Sequence, residues 1–218
     1  RHIVFNGNGK TRREIGEALD ADVLTVNVDS AEELELVAEV AHAQGKRAPI
    51  SFRVNPDVDA QTHPHISTGL KKSKFGVPIH AAQSLYLQAR ALASVEIVGV
   101  HCHIGSQITN PAPMLAAAQS IAQLAAHLRA DGIALQSVNL GGGLGIVYRA
   151  EHPMTPQEWA GAVHETLNAT GAQLILEPGR SIVGPAGALV SEVIHLKRTE
   201  AKNFLVLDAG MNALMRPS

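Results

Sequence analysis

The sequence predicts an α/β protein: an incomplete (β/α)8 TIM-type barrel of about six βα units, followed by the first strands of a C-terminal β domain. Short runs rich in Val, Ile and Leu alternate with amphipathic stretches up to Arg180. Most positions in these runs are apolar, as in parallel strands that are covered on both faces. After Arg180 the alternation stops, and two candidate strands follow each other directly.

The first six candidate strands alternate with helices, which predicts a parallel sheet with right-handed crossovers. An open doubly wound sheet and a barrel both satisfy this pattern. A full barrel takes about 250 residues, so six units before Arg180 have the size of an incomplete one. The candidate strands are Ile3–Phe5, Val23–Val28, Ile50–Val54, Ile97–Ile104, Val138–Leu140, Leu174–Leu176, Ala188–Leu196 and Phe204–Leu207.

Local signals mark where the helices begin and end. Thr11-Arg-Arg-Glu14 and Ser30-Ala-Glu-Glu33 have the spacing of a capping box. Thr155-Pro-Gln-Glu158 adds a proline at the first helical position. Gly45 and Gly132 are typical of residues that follow a helix. Helical spacing extends over Glu32–Gln44, Ile79–Ala93, Pro113–Asp131 and Trp159–Ala169.

Composition excludes several classes of partner. The 218 residues carry a net charge of -2, so there is no basic excess for nucleic acid or an anionic membrane. No apolar run approaches the roughly 18 residues of a transmembrane helix. A single cysteine, Cys102, cannot form an intrachain disulfide, which favours a reducing, cytoplasmic location.

The two ends of the sequence resemble cut ends. The chain begins at Arg1 directly before a strand pattern and stops at Ser218 shortly after another. We therefore interpret it as an internal segment of a longer protein. We expect residues 1–185 to form the barrel portion and residues 186–218 to begin the β domain.

Ligands of parallel α/β proteins bind beyond the carboxyl ends of the strands. In this sequence, polar residues and glycines gather at these ends, while apolar residues fill the strands. The strand ends read Asn6-Gly7, Asn27-Val-Asp29, Arg53-Val-Asn55, His101–Ser106, Gly141–Gly143 and Glu177–Arg180.

The segment GVHCHIGSQ places two histidines around the cysteine. Strand alternation puts His101 and His103 on the inner face, and Cys102 on the outer face as a small buried hydrophobe. A His-x-His pair could bind zinc in a hydrolase, but a catalytic site needs further ligands from other strands. No other histidine lies at a predicted strand end, so we expect no metal and keep the zinc hydrolase as an alternative.

The glycine run Gly141–Gly143 can bring backbone N–H groups close to a phosphate, or it can simply form a tight turn. Ser106 and Arg180 are further anion partners on neighbouring strand ends. A buried Glu177 facing a cationic ring nitrogen is the arrangement that a pyridoxal phosphate electron sink needs. A structural salt bridge from Glu177 to Arg53 or Arg180 is the alternative.

Taken together, these motifs resemble the fold III, alanine-racemase-like decarboxylases that depend on pyridoxal 5'-phosphate (PLP). The matching segments are NGNGK, NVDSAEEL, HISTGLKKSKFGV, GVHCHIGSQI, NLGGGLGI, EPGRSIVGPAG and LDAGMNALMRPS. They cover essentially the whole chain. Two segments distinguish between branches of the family: HCHIGSQ, and DAGMN followed by RP. They favour the branch that decarboxylates meso-2,6-diaminopimelate to L-lysine over the ornithine and arginine decarboxylases.

The resemblance implies a role for each matching residue. His103 would stack on the pyridine ring, and Glu177 would pair with the ring nitrogen; both are expected to be catalytic. Arg180 and Arg216 would bind the substrate. The remaining cofactor contacts would come from Ser106, Gly141, Gly142, Gly143, Pro178, Gly179 and Arg180 itself.

Two family features are missing from the sequence. The Schiff-base lysine belongs to a motif like Tyr-Ala-x-Lys-Ala, and Lys10 matches a different family segment. The C-terminal β domain, with its Cys-Glu-Ser motif across a homodimer interface, is also largely absent, and Cys102 is not that cysteine. We therefore expect an inactive segment of an active homodimeric enzyme. Alternatives are decarboxylation of carboxynorspermidine or another basic amino acid, and a non-catalytic PLP-binding protein.

Overall fold

The computed structural model describes residues 2–59 and 75–214, and it divides the chain into two compact units, residues 1–181 and 182–218. The strands are β1 (Val4–Phe5), β2 (Thr25–Val28), β3 (Ala48–Asn55), β4 (Val77–Pro78), β5 (Val95–His101), β6 (Ser137–Asn139), β7 (Gln173–Ile175), β8 (Val193–Arg198) and β9 (Asn203–Leu207). The helices are α1 (Arg12–Asp20), α2 (Ala31–Ala43), α3 (Ile79–Arg90), α4 (Pro111–Ala130), α5 (Pro156–Leu167) and α6 (Arg180–Val183).

The first unit contains a parallel sheet whose strands follow the order of the chain, β1-β2-β3-β5-β6-β7, with the short β4 paired to β3. A doubly wound sheet reverses its strand order at a switch point, whereas a barrel does not. The uninterrupted order therefore confirms the prediction of an incomplete barrel with six βα units. Among the described residues, no helix has the length and apolar character needed to span a bilayer.

The helix starts follow the predicted capping signals. Complete capping boxes form at Thr11 and Thr155. At Ser30 only half of the predicted box forms, because its hydroxyl accepts the Glu33 N–H while the Glu33 carboxylate bonds elsewhere. That carboxylate accepts the N–H of Asp29 at 2.7 Å and lies 3.1 Å from the Nζ of Lys10.

The prediction for Ile97–Ile104 is wrong at its C-terminal end, because β5 stops at His101. The Cys102 N–H still donates to the carbonyl of Asn139 at 2.8 Å, but the chain then turns at Gly105, whose φ is 153°. The inward and outward alternation thus continues for some residues beyond the paired strand.

The second unit contains an antiparallel hairpin of β8 and β9, in agreement with the two consecutive strands that the sequence predicts. The predicted start at Ala188 is wrong, since β8 begins at Val193. Pairing begins there because Val193 lies opposite Leu207, the last residue of β9.

The two faces of the parallel sheet differ in chemistry. On the face towards the helices, fully buried Val26, Ile50 and Phe52 belong to one continuous apolar core. On the inner face the side chains are small and polar, and the hydroxyls of Thr25 and Ser51 lie 2.9 Å apart. This narrow polar layer lies below the strand ends that carry the candidate site.

Candidate functional site

A cleft of about 260 Å³ opens at the carboxyl ends of the parallel strands. It brings together most of the site residues predicted from the sequence. Its lining comprises Asn6, Arg53, His101, His103, Ser106, Gln107, Gly142, Gly143, Leu144, Glu177, Gly179 and Arg180. Of the other predicted residues, Pro178 is exposed and Gly141 lies against His103 behind the lining. Arg216 lies outside the described residues.

Glu177 follows β7, and side-chain amides hold its carboxylate. Its Oε1 accepts hydrogen bonds from Asn139 Nδ2 at 2.7 Å and from Asn6 Nδ2 at 3.0 Å. The alternative of a structural salt bridge to Arg53 is not favoured, because the Arg53 Nε lies 3.9 Å from the carboxylate of Asp29 instead. Glu177 therefore presents a carboxylate at the cleft that neutral donors orient.

His103 faces the cleft and lies against the glycine run. Its Nδ1 accepts the Gly142 N–H at 3.3 Å, which places the proton of a neutral ring on Nε2. Burial, and then the positive charge of Arg53, lower the pKa of His103. The ring thus presents a fixed, neutral face to the cleft.

His101 lies on the same inner face but deeper, with 2% of its surface exposed. Its Nε2 is 3.6 Å from Glu177 Oε1, and neither ring nitrogen has a hydrogen-bond partner among the described residues. A carboxylate at this distance favours the charged ring, but burial and the charge of Arg53 oppose it. The balance lowers the pKa of His101 to about 3.

Cys102 points to the opposite face, as predicted. It is 1% exposed and packs into the core, where it lines a small apolar space with Met114 and Trp159. Burial raises the pKa of its thiol to about 12. A protonated thiol in an apolar layer is inert, so the cysteine contributes packing rather than chemistry.

The glycine run allows close backbone contacts around the cleft. A Cβ on Gly142 would overlap the carbonyl oxygen of Glu177, and a Cβ on Gly143 would overlap that of Gly105. Gly143 also has a φ of 106°, which residues with a Cβ rarely adopt. These glycines let the loops after β5, β6 and β7 pack closely together beside Glu177. We call the run Gly141–Gly143 the glycine cradle.

Gln107 joins the loops that follow β5 and β6, and sequence reasoning missed it. Its Nε2 donates to the Ile146 carbonyl at 2.7 Å, and its Oε1 accepts the Ile146 N–H at 3.2 Å. The same oxygen is 3.5 Å from Nη1 of Arg180. Gln107 adopts a φ of 58°, which only the folded backbone reveals.

Asn6 was missed as a site residue as well, although it directly follows the predicted strand Ile3–Phe5. Its contact with Glu177 joins residues 171 positions apart, and no local pattern indicates such a pairing.

Lys10 is the described lysine closest in sequence to these strand ends, and it is buried. Its Nζ donates to the carbonyls of Gly7 and Asn27 and pairs with Glu33 at 3.1 Å. This ammonium holds the loop after β1 against the end of β2. Within the described residues, no cluster of three or more His, Cys, Asp or Glu side chains is arranged to hold a metal ion.

An incomplete parallel barrel with a glycine cradle, an oriented carboxylate and an arginine at its mouth defines a domain that binds a phosphorylated cofactor. The family model for the pyridoxal-dependent decarboxylase, pyridoxal binding domain, matches residues 1–184. The chain belongs to this family.

Similar proteins agree with this assignment. The chain is 48% identical over 216 residues to diaminopimelate decarboxylase of Pseudomonas aeruginosa, covering 99% of this chain and 52% of the relative. It is 47% identical to the enzyme of Aquifex aeolicus, with the same coverage of each. The crystal structure of diaminopimelate decarboxylase from Helicobacter pylori complexed with L-lysine superposes with a TM-score of 0.90 at 42% identity, covering 96% of this chain and 52% of that one. The chain thus spans about half the length of these relatives.

Proposed function

We propose that the full-length protein containing this chain is a PLP-dependent carboxy-lyase. It converts meso-2,6-diaminopimelate to L-lysine and CO2, the last step of lysine biosynthesis. The observation that carries the proposal is the oriented carboxylate of Glu177 beside the glycine cradle and His103. The relatives named diaminopimelate decarboxylase, one of them complexed with L-lysine, support the choice of substrate.

The residues at the strand ends fit the cofactor chemically. Gly142 and Gly143 line the cleft without side chains, and Ser106 and Arg180 add polar and positive groups there that suit a phosphate. Glu177 would accept a hydrogen bond from a protonated ring nitrogen, and His103 would pack on the ring. The chemistry that PLP supplies when bound is an electron sink for cleavage of the carbon–carboxylate bond.

This chain's own residues would orient the substrate and keep the ring nitrogen of the cofactor positively charged. In this role Glu177 stabilises the positive ring nitrogen, as a carboxylate in a partly dry cleft can. Arg180 contributes to binding of the substrate carboxylate, and we propose the same for Arg216. From the family resemblance we propose that the covalent lysine lies outside this chain; Lys10 is paired with Glu33.

We further propose that residues 186–218 begin a C-terminal β domain and that the full-length protein is a cytoplasmic homodimer. The antiparallel hairpin β8–β9 supports the first point, since it departs from the parallel pattern of the barrel. The family resemblance supports the second.

The test is an assay of the full-length protein with PLP and meso-diaminopimelate. We expect release of CO2 and stoichiometric L-lysine, with at least about tenfold lower kcat/KM for ornithine, arginine and carboxynorspermidine. Equal turnover of one of these compounds would reassign the substrate. PLP binding without turnover of any of them would instead favour a non-catalytic PLP-binding protein.

A further inference from the structure

Two buried polar side chains lie behind Glu177, and the proposed function gives them no role. Asn139 ends β6 and is 3% exposed, while His101 ends β5 and is 2% exposed. A buried polar group costs stability unless it is satisfied, so residues chosen only for packing would be apolar here. Both side chains point at the same oxygen, Oε1 of Glu177.

We propose that Asn139 and His101 are positioning residues, which hold Glu177 as an oriented carboxylate and tie it to the glycine cradle. The inference rests on the proposed function, because it assigns Glu177 to the ring nitrogen of the cofactor. Neither residue touches the reacting atoms; both act through Glu177.

The side-chain amide of Asn139 connects Glu177 to the glycine run Gly141–Gly143. Its Nδ2 donates to Glu177 Oε1 at 2.7 Å, and its Oδ1 accepts the Gly141 N–H at 2.8 Å. The backbone joins the same two segments, since the Glu177 N–H donates to the Gly141 carbonyl at 2.8 Å. Only a side chain with a donor and an acceptor makes both contacts, so neither aspartate nor leucine can replace it.

His101 supplies a second neutral group on the same oxygen. The shift that would bring its Nε2 from 3.6 Å into hydrogen-bonding range is a few tenths of an ångström. Asn6 Nδ2 contacts the same Oε1 at 3.0 Å. Among the described residues no hydrogen bond occupies Oε2, which leaves that oxygen for the cofactor.

The charged and titratable groups around Glu177 come from the ends of β3 and β5 and from the loop after β1. Arg53 lies near the end of β3, and His101 and His103 belong to β5 and its following loop. Lys10 also acts on His101 from the first loop. Glu177 acts electrostatically on Arg53, and a new carboxylate at Asn139 would add a like charge 2.7 Å from Oε1.

The test uses the full-length holoenzyme with Asn139→Asp, Asn139→Leu, His101→Gln and His101→Leu. We measure the dissociation constant of PLP, the pH midpoint of its absorbance change when bound, and kcat and KM separately. Asn139→Asp should raise that midpoint by at least about one unit, because the added negative charge beside Glu177 favours the protonated form of nearby groups. Asn139→Leu should weaken PLP binding about tenfold or more and lower kcat with KM unchanged. His101→Gln retains a neutral donor and should stay within about threefold of wild type, unlike His101→Leu.

Two reference variants make the outcomes distinguishable. Asn110→Asp adds the same charge at the N-cap of α4, where aspartate caps as well as asparagine does, and should behave as wild type. Glu177→Gln reports on the carboxylate itself. If Glu177→Gln changes the absorbance but the Asn139 variants match Asn110→Asp, the inference is wrong. If Glu177→Gln also matches wild type, the proposed function is wrong. Should Asn139→Leu fail to fold, Asn139→Asp and the His101 pair decide the question.

Discussion

His101 and Cys102 are adjacent in sequence and almost equally buried, yet they belong to regions with opposite chemistry. Cys102 lies in the apolar layer between sheet and helices, in a space lined mainly by apolar side chains. His101 lies in the polar layer at the strand ends, where its nitrogens lack partners among the described residues. The first region lowers the free energy of the fold; the second accepts an energetic cost, which is typical of a functional site.

This comparison predicts that replacing Glu177 has the largest effect. Glu177→Ala in the full-length protein should lower kcat for meso-diaminopimelate by at least about a hundredfold, because the charge on the ring nitrogen loses its partner. The free energy of unfolding without PLP should fall by only about 1–3 kcal/mol, since the buried Asn139 amide loses its acceptor. Steady-state kinetics and urea unfolding measure the two effects. Near-normal turnover would remove Glu177 from the mechanism.

Adding a methyl group at the glycine cradle should have the next largest effect. Gly142→Ala would drive its Cβ into the carbonyl of Glu177, so we expect a loss of about 1–3 kcal/mol and weaker PLP binding. Gly161→Ala is the matched control, because that glycine lies inside α5 and its Cβ would meet nothing within 4 Å. The control should gain about 0.5–1 kcal/mol. If Gly142→Ala and Gly161→Ala gave the same unfolding free energy and the same PLP affinity, the proposed role of the glycine cradle would be wrong.

The sequence predicted this division between the two regions because strand alternation is a local property. It placed His103 inward and Cys102 outward, although the paired strand ends before both of them. Gly142 and Glu177 were also predictable, since each lies at the end of a recognisable strand.

The missing parts of the site depend on contacts between distant segments. Asn6 meets Glu177 across 171 residues, and Glu33 leaves its capping box for Lys10. Neither contact follows from the residues around it. Gln107 joins two loops through a left-handed backbone conformation that a non-glycine sequence does not indicate. Long-range geometry, rather than local propensity, decides such residues.

The polar region should also make stability depend on pH. The pKa of His101 is about 3 in the folded protein and 6.5 as its ordinary value, so the unfolded chain binds the extra proton. Its contribution is complete above about pH 6.5 and falls by about 2 kcal/mol towards pH 5. Urea unfolding of the cofactor-free full-length protein at both pH values should show this loss.

His101→Gln is the control for that experiment, since glutamine does not titrate. The pH dependence of its unfolding free energy should be smaller than that of wild type by about the same 2 kcal/mol. His103 shifts in the same direction and should leave a residual dependence in both proteins. An identical pH dependence in the two proteins would mean that His101 is already charged when folded.

The apolar region should give the smallest and simplest response. Cys102→Ala removes one buried sulfur from the layer of Met114 and Trp159, so we expect a loss of about 1 kcal/mol in unfolding free energy. PLP affinity and kcat should match wild type, because the residue points away from the cleft. In native wild type, the thiol should also resist alkylation, since burial holds its pKa near 12. Rapid alkylation, or a loss of PLP binding larger than the loss of stability, would show that the two faces of β5 are coupled rather than separate.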